Sequence, residues 1–146
     1  MLRLVALCLL SVALSACAIT GGLGGAPRPA ESEYFTSKGG GLTLNLEDNK
    51  AGQVCRYSLL LTMRRAINAP LYLRTSFDNP AHPDKPLVVE SEVHPGVADV
   101  HISSREVRGL QRGRIYKVQV LVFDSPERSR PIGEHVQLLK SSVEIP

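Results

Sequence analysis

The sequence of 146 residues contains no tryptophan, only 5% aromatic residues and only three cysteines. So few aromatic rings disfavour a glycan-binding surface, because such a surface groups exposed aromatic side chains on one face. Three cysteines are also too few for the dense disulfide framework of many small secreted domains. The length leaves room for one domain. We therefore expect a single domain that is stabilised by an apolar core.

Sequence motifs of catalysis are absent as well. The chain has no Gly-x-Ser-x-Gly, no His-Glu-x-x-His and no Cys-x-x-Cys, the patterns of a nucleophile elbow, a zinc protease and a paired-thiol site. The histidines, His82, His94, His101 and His135, are far apart in the sequence, so a metal site would require the fold to bring them together. The sequence predicts no enzyme, no cofactor and no metal.

The charge is nearly balanced, with 17 Lys and Arg against 14 Asp and Glu, a formal net charge of +3. Nucleic-acid binding rests on many cationic contacts to phosphates, and this excess is too small to indicate it. We predict no nucleic-acid partner.

The first 15 residues have the layout of a secretory signal. Arg3 supplies the positive charge, and Leu4 to Leu14 form an apolar run that only Ser11 interrupts. A membrane-spanning helix needs about 20 apolar residues, so this run is too short to span.

The sequence Leu14-Ser15-Ala16-Cys17 follows directly and resembles the lipobox of bacterial lipoproteins. The resemblance implies cleavage after Ala16 and attachment of diacylglycerol and a further acyl chain, such as palmitate, to Cys17. Ala18 is not the aspartate that usually retains lipoproteins in the inner membrane, so we expect a lipid anchor in the outer membrane with the domain facing the periplasm. The alternatives are an ordinary signal peptide or an uncleaved anchor.

Export under this scheme leaves one thiol. Cys8 is removed with the signal and Cys17 carries the lipid, so only Cys55 remains. It is either a small buried apolar residue or a thiol that pairs with a partner protein.

Residues 18–41 are rich in glycine and proline and lack apolar periodicity. We predict a signal peptide over residues 1–16, a lipidated cysteine and flexible linker over 17–41, and one domain over 42–146.

Beyond Leu42 the sequence alternates apolar and polar residues in short segments separated by turn residues, which predicts seven β-strands. The segments start near Leu42, Cys55, Leu71, Leu87, Val100, Ile115 and Gly133. The last extends to Ile145 with a change of parity that suggests a bulge. Residues 57–67 also fit helical spacing; the surrounding strands favour a strand.

Seven short strands separated by turns indicate an antiparallel β-sandwich. Within the segment 110–120, Leu110, Gly113 and Tyr116 resemble the leucine, turn glycine and tyrosine of a fibronectin type III or related immunoglobulin-like domain. The resemblance implies a tyrosine corner, in which Tyr116 returns its hydroxyl to the turn backbone. The chain departs from the immunoglobulin pattern, because it lacks tryptophan and has Val118 where a second cysteine is usual.

Two segments are candidate binding surfaces. Arg105, Arg108, Arg112 and Arg114 form a basic cluster at one end of the predicted sandwich, suited to lipid phosphates or an acidic partner. The proline-rich segment 79–86 is suited to a preordered recognition loop, because proline reduces the entropy lost on binding. In each case the alternative is an ordinary solvated turn or connector.

Together these features predict a membrane-anchored, non-enzymatic interaction module that binds another envelope protein. One alternative is the small outer-membrane lipoprotein of an envelope-spanning assembly resembling a type VI secretion system, which is an analogy of fold alone. Another is a glycan-binding or other ligand-binding module.

Overall fold

The computed structural model describes residues 29–49 and 52–146, and these residues form β-strands, turns and no helix. The predicted signal peptide and residues 17–28 of the predicted linker lie outside the described residues. Within the described ranges no helix is long and apolar enough to cross a membrane.

Two antiparallel sheets face each other, as the alternating sequence pattern predicts. One sheet has the order β1-β2-β5 and the other β4-β3-β6-β7. The strands are β1 (Phe35–Asn49), β2 (Gly52–Met63), β3 (Leu71–Phe77), β4 (Leu87–Val93), β5 (Asp99–Glu106), β6 (Ile115–Phe123) and β7 (Gly133–Lys140). The prediction of an all-β protein with two antiparallel sheets is confirmed, and the architecture is compatible with an immunoglobulin-like sandwich.

Alternation of side chains builds the core between the sheets. In β3, every second residue from Leu71 to Phe77, including Thr75, is buried, whereas the residues between these positions are partly exposed. Strand β6 contributes four more buried side chains at alternate positions: Tyr116, Val118, Val120 and Val122. Each fully buried aliphatic side chain contributes about 1.5 to 3 kcal/mol of hydrophobic free energy.

Three aromatic rings occupy the middle of this core. The ring of Tyr57 stacks on Phe77 at 5.5 Å between centroids, and it lies 6.4 Å from the ring of Tyr116 at a tilt of 57°. Both geometries are favourable for aromatic pairs. These rings fill the core without tryptophan.

The N-terminal boundary of the domain differs from the predicted one. The linker was expected to extend to Gly41, but Phe35 is completely buried, and Ala30 pairs with Val136 of β7 through two backbone hydrogen bonds. Residues 30–34 therefore contact β7 in one sheet before the chain continues into β1 of the other. This segment, which we call the N-terminal clasp, pairs with β7 at Ala30 and was not included in the seven-strand prediction.

The C-terminal strand also differs. Strand β7 ends at Lys140, and Ile145 pairs separately with Leu110. The parity change therefore reflects the end of the strand; the register between β6 and β7 is regular. Shifts of register occur instead between Thr36 and Gly41 against β2, and between β2 and β5 near Arg56.

The ambiguous segment 57–67 divides at Met63. It is a strand up to that residue, with Tyr57, Leu59 and Leu61 completely buried, and it then turns toward β3. The helical spacing of its apolar residues is coincidental, because only alternate positions face the core.

Candidate functional site

The candidate site lies at the end of the sandwich where β3 and β5 finish and β6 begins. Pairing of Phe77 with Val118 and of Arg56 with Glu106 brings two connections to this end, residues 78–86 and 107–114. We call it the arginine end, because the second connection carries Arg108, Arg112 and Arg114.

The proline-rich connection is internally hydrogen-bonded. The backbone N–H of His82 donates to Asn79 O at 3.0 Å, and that of Lys85 donates to His82 O at 2.9 Å. The Asn79 side-chain amide donates to Lys85 O at 2.8 Å. These bonds close consecutive turns, so the predicted recognition loop has a defined shape.

The second connection is held from both sides. Val107 N–H donates to Cys55 O at 2.9 Å, and Gly113 N–H donates to Ser141 O at 2.7 Å. Leu110 is buried in the base of the core. The hydroxyl oxygen of Tyr116 accepts a 2.8 Å hydrogen bond from the backbone N–H of Gln111. This bond joins Tyr116 to the turn backbone five residues earlier in the chain.

The two connections touch at Gly109. Its φ of +75° favours glycine, and a Cβ atom there would lie 3.1 Å from the backbone nitrogen of Ala81. This close approach forms one wall of a cavity of about 310 Å³. Its lining residues are Asp78, Asn79, Pro80, Pro83, Gly109, Gln111, Arg114, Ile115 and Tyr116.

The cavity combines an apolar wall with two charged groups. Ile115 is 56% exposed. Among the described residues, no other large apolar side chain is exposed to this extent. The Asp78 carboxylate accepts a 2.7 Å hydrogen bond from Lys117 N–H through Oδ2. The Arg114 guanidinium donates to Gln111 Oε1 at 3.0 Å. A ligand in the cavity therefore meets a hydrogen-bond acceptor, a cationic donor and an apolar surface.

The four predicted arginines have different surroundings. Arg114 lines the cavity, and Arg112 is exposed in the same turn. Arg108 pairs with Glu106 at 2.7 Å, and Arg105 is exposed on β5. Among the ion pairs of the described residues, none involves Arg105, Arg112 or Arg114. Three of the four guanidinium groups are thus available to a partner.

The histidines are not brought together. His135 is completely buried: Ser32 N–H donates to its Nδ1 at 3.3 Å, and its Nε2 lies 3.0 Å from the Gln137 amide. Burial lowers the pKa of His135. His101 of β5 contacts the hydroxyl of Ser58 on the neighbouring strand β2. Within residues 29–49 and 52–146, no three His, Cys, Asp or Glu side chains are grouped to hold a metal ion.

The cysteines divide between described and undescribed parts of the chain. The lipobox residues Leu14, Ser15, Ala16 and Cys17 lie outside the described residues. Cys55 is completely buried as a free thiol, and its burial raises the pKa of the thiol group. Its location is that of a core residue.

Sequence reasoning missed three residues of the site: Asp78, Gly109 and Ile115. Asp78 has a recognisable turn signal before Asn79 and Pro80. Nothing in the local sequence indicates that Gly109 contacts Ala81, because the contact joins two connections 28 positions apart. Ile115 occupies an outward-facing position of β6, as several other residues of that strand do. The sequence does not show that this position lies beside the cavity.

Neither a family model nor a curated protein matches this chain.

Proposed function

We propose that the chain is a lipid-anchored, non-enzymatic interaction module of the bacterial cell envelope, attached to the outer membrane through Cys17 and facing the periplasm. The domain binds another envelope protein at the arginine end. We also assign the sandwich to the immunoglobulin-like, fibronectin type III-like group. The order β1-β2-β5 opposite β4-β3-β6-β7 and the Tyr116–Gln111 bond support that assignment.

The observation that carries the docking function is the cavity beside Arg114 and Ile115. A large apolar side chain exposed beside a concave surface contributes binding energy when a partner covers it, and unpaired arginines beside it supply charge-assisted hydrogen bonds. The cavity is formed by backbone turns that hydrogen bonds fix, so little conformational entropy is lost on binding.

The anchor is tested separately from the docking site. Cells that express the chain are fed an alkyne-labelled fatty acid, and labelling of the protein is compared with that of a Cys17→Ala form. The proposal expects labelling and outer-membrane fractionation of the native chain only. A labelled Cys17→Ala form would contradict the assignment of the lipid to Cys17.

Docking is tested with a photo-crosslinking amino acid placed at Ile115 in intact cells. The matched control is the same amino acid at Val97, which is 39% exposed between β4 and β5. We expect a defined crosslinked protein at position 115, absent at 97 and reduced in the Cys17→Ala background. Equal crosslinking at the two positions would exclude the arginine end as the docking surface.

A further inference from the structure

The size and the lining of the cavity restrict what can occupy it. The volume of about 310 Å³ is at the lower limit of ligand pockets, which span about 300 to 1,000 Å³. It accommodates one or two side chains rather than a large cofactor. The apolar lining of Pro80, Pro83 and Ile115 favours an aliphatic side chain.

The polar groups match a peptide backbone. Asp78 uses Oδ2 to accept from Lys117 N–H, and no hydrogen bond within the described residues involves its Oδ1, which remains an acceptor for an N–H of a ligand. Arg114 uses one nitrogen to contact Gln111 and retains further donors for a carbonyl or carboxylate oxygen. A peptide supplies both kinds of partner.

The charge around the rim selects an acidic sequence. Arg112, which lies between the lining residues Gln111 and Arg114, is exposed and has no ion-pair partner among the described residues. Arg108, next to the lining residue Gly109, is exposed and pairs with Glu106 at the surface. Exposed arginines attract carboxylates and hold them with paired hydrogen bonds. The single acidic group of the lining, Asp78, already accepts a backbone hydrogen bond from Lys117.

The concavity argues against a lipid surface as the occupant. A membrane presents an extended plane of phosphate groups, which a convex basic surface matches. Here the only arginine that lines the cavity, Arg114, shares it with a carboxylate and with prolines. Phosphates at the rim would leave the apolar wall of the cavity uncovered.

We propose that the cavity between residues 78–86 and 107–114 binds an acidic peptide segment of a partner protein, with one aliphatic side chain inside the cavity and flanking carboxylates on Arg112 and Arg114. This inference rests on the proposed docking function and gives the chemistry of the docked segment.

The test uses the full chain in a neutral detergent and a fluorescent nonapeptide of four glutamates, one leucine and four glutamates, with binding followed by anisotropy. Two control peptides replace the leucine with glycine or the glutamates with lysine. We expect the leucine peptide to bind at least tenfold more tightly than the glycine peptide, because one buried aliphatic side chain is removed. The lysine peptide should not bind, and added salt should weaken the acidic complex.

Substitutions locate the site. Arg114→Glu and Arg112→Glu should each weaken binding at least tenfold, whereas the matched control Arg65→Glu, which lies between β2 and β3, should leave it unchanged. Arg114→Gln provides a second variant in case the charge reversal disturbs folding, which circular dichroism reports. Equal binding by Arg114→Gln and the native chain overturns the inference.

Two other results also overturn it. If the glycine peptide binds as tightly as the leucine peptide, the attachment is electrostatic and the cavity is not used. If phosphatidylglycerol vesicles bind in an Arg114-dependent manner and the peptide does not, the site is for lipid headgroups. A crosslinked partner at position 115 in cells, combined with no peptide binding, would leave the proposed docking function intact and exclude only the acidic peptide.

Discussion

The hydroxyl oxygen of Tyr116 and the backbone N–H of Gln111 form a 2.8 Å hydrogen bond that connects the start of β6 to the cavity wall. Tyr116 is buried and its ring contacts Tyr57, so one side chain fixes both the core and the turn. The shape of the arginine end therefore depends on a residue that is almost completely buried.

Tyr116→Phe should lower the free energy of unfolding by about 0.5 to 1.5 kcal/mol, the usual net contribution of a hydrogen bond when water can replace the acceptor. Urea denaturation measures the change. The matched control is Tyr57→Phe, because the Tyr57 hydroxyl is buried with no hydrogen-bond partner. Removing that hydroxyl should be neutral or stabilising, and a loss equal to that of Tyr116→Phe would contradict this account.

Gly109→Ala should destabilise the domain more than Gly113→Ala. Both glycines have positive φ, of +75° and +80°, so both substitutions incur a backbone cost of about 1 to 2 kcal/mol. Only at Gly109 does the new Cβ also meet another backbone, at 3.1 Å from Ala81 N. The difference between the two unfolding free energies isolates this contact, and equal values would show that the two connections separate freely.

Phe35→Ala should cost about 3 to 5 kcal/mol, as expected for truncation of a fully buried aromatic side chain, since Phe35 has no exposed surface. Leu46→Ala in the same strand should change stability by less than about 0.5 kcal/mol, because Leu46 is 43% exposed. Chemical denaturation of both variants checks the corrected domain boundary. A harmless Phe35→Ala would return residues 30–37 to the linker.

Stability should fall as the pH drops below about 6.5. Burial holds the pKa of His135 below its ordinary value of 6.5; nearby Glu31 opposes this shift and Arg64 adds to it. The unfolded chain therefore binds a proton that the folded chain does not, and the contribution present above pH 6.5 is lost as the pH falls toward the lower folded pKa. Glu31 titrates in a more acidic pH range than His135. Desolvation would raise the pKa of Glu31, but Arg64 and hydrogen bonds lower it below 4.5.

Thermal unfolding at pH 7.5 and pH 5.5 measures the His135 effect. His135→Gln should reduce the difference between the two melting temperatures, although the variant itself is less stable. His94→Gln is the matched control, since the His94 side chain is exposed and its Nδ1 lies 3.7 Å from the Glu92 carboxylate. An unchanged pH dependence in His135→Gln would assign the effect to other groups.

Cys55 should resist alkylation in the folded protein. Its side chain is buried and the pKa of its thiol is raised by burial, so the reactive thiolate is scarce. In a form with Cys8→Ser and Cys17→Ser, iodoacetamide should modify the chain rapidly in urea and at least a hundredfold more slowly without it. Fast labelling of the native form would place Cys55 at an accessible surface.

The strands could be predicted from the sequence because each is marked by the alternation of its own residues. In β3 and β6 every second residue is apolar, and a period of two defines both the strand and its buried face. The N-terminal clasp has no such pattern: Glu31, Ser32 and Glu33 are polar. It is held by the pairing of Ala30 with Val136 of β7 and by Phe35, the buried residue that follows it.

The candidate site could be predicted only in its separate parts. The arginines and the prolines are visible in the sequence as two clusters. Their meeting depends on the distance between Gly109 and Ala81, which results from the packing of both sheets. The surroundings of individual arginines also depend on the tertiary structure: Arg108 pairs with Glu106, whereas Arg114 lines the cavity.

The N-terminal clasp also has a consequence for how the protein is made. Ser32 bonds to His135 across 103 positions of the chain, so the contact that joins the first segment to the last strand forms only when nearly the whole chain is available. Ribosomes add about 5 to 20 residues per second, so roughly 5 to 20 s separate the synthesis of these two residues. During that interval the first segment lacks its partner strand, and the nascent chain stays incompletely folded, which is the state that the proposed export of the chain requires.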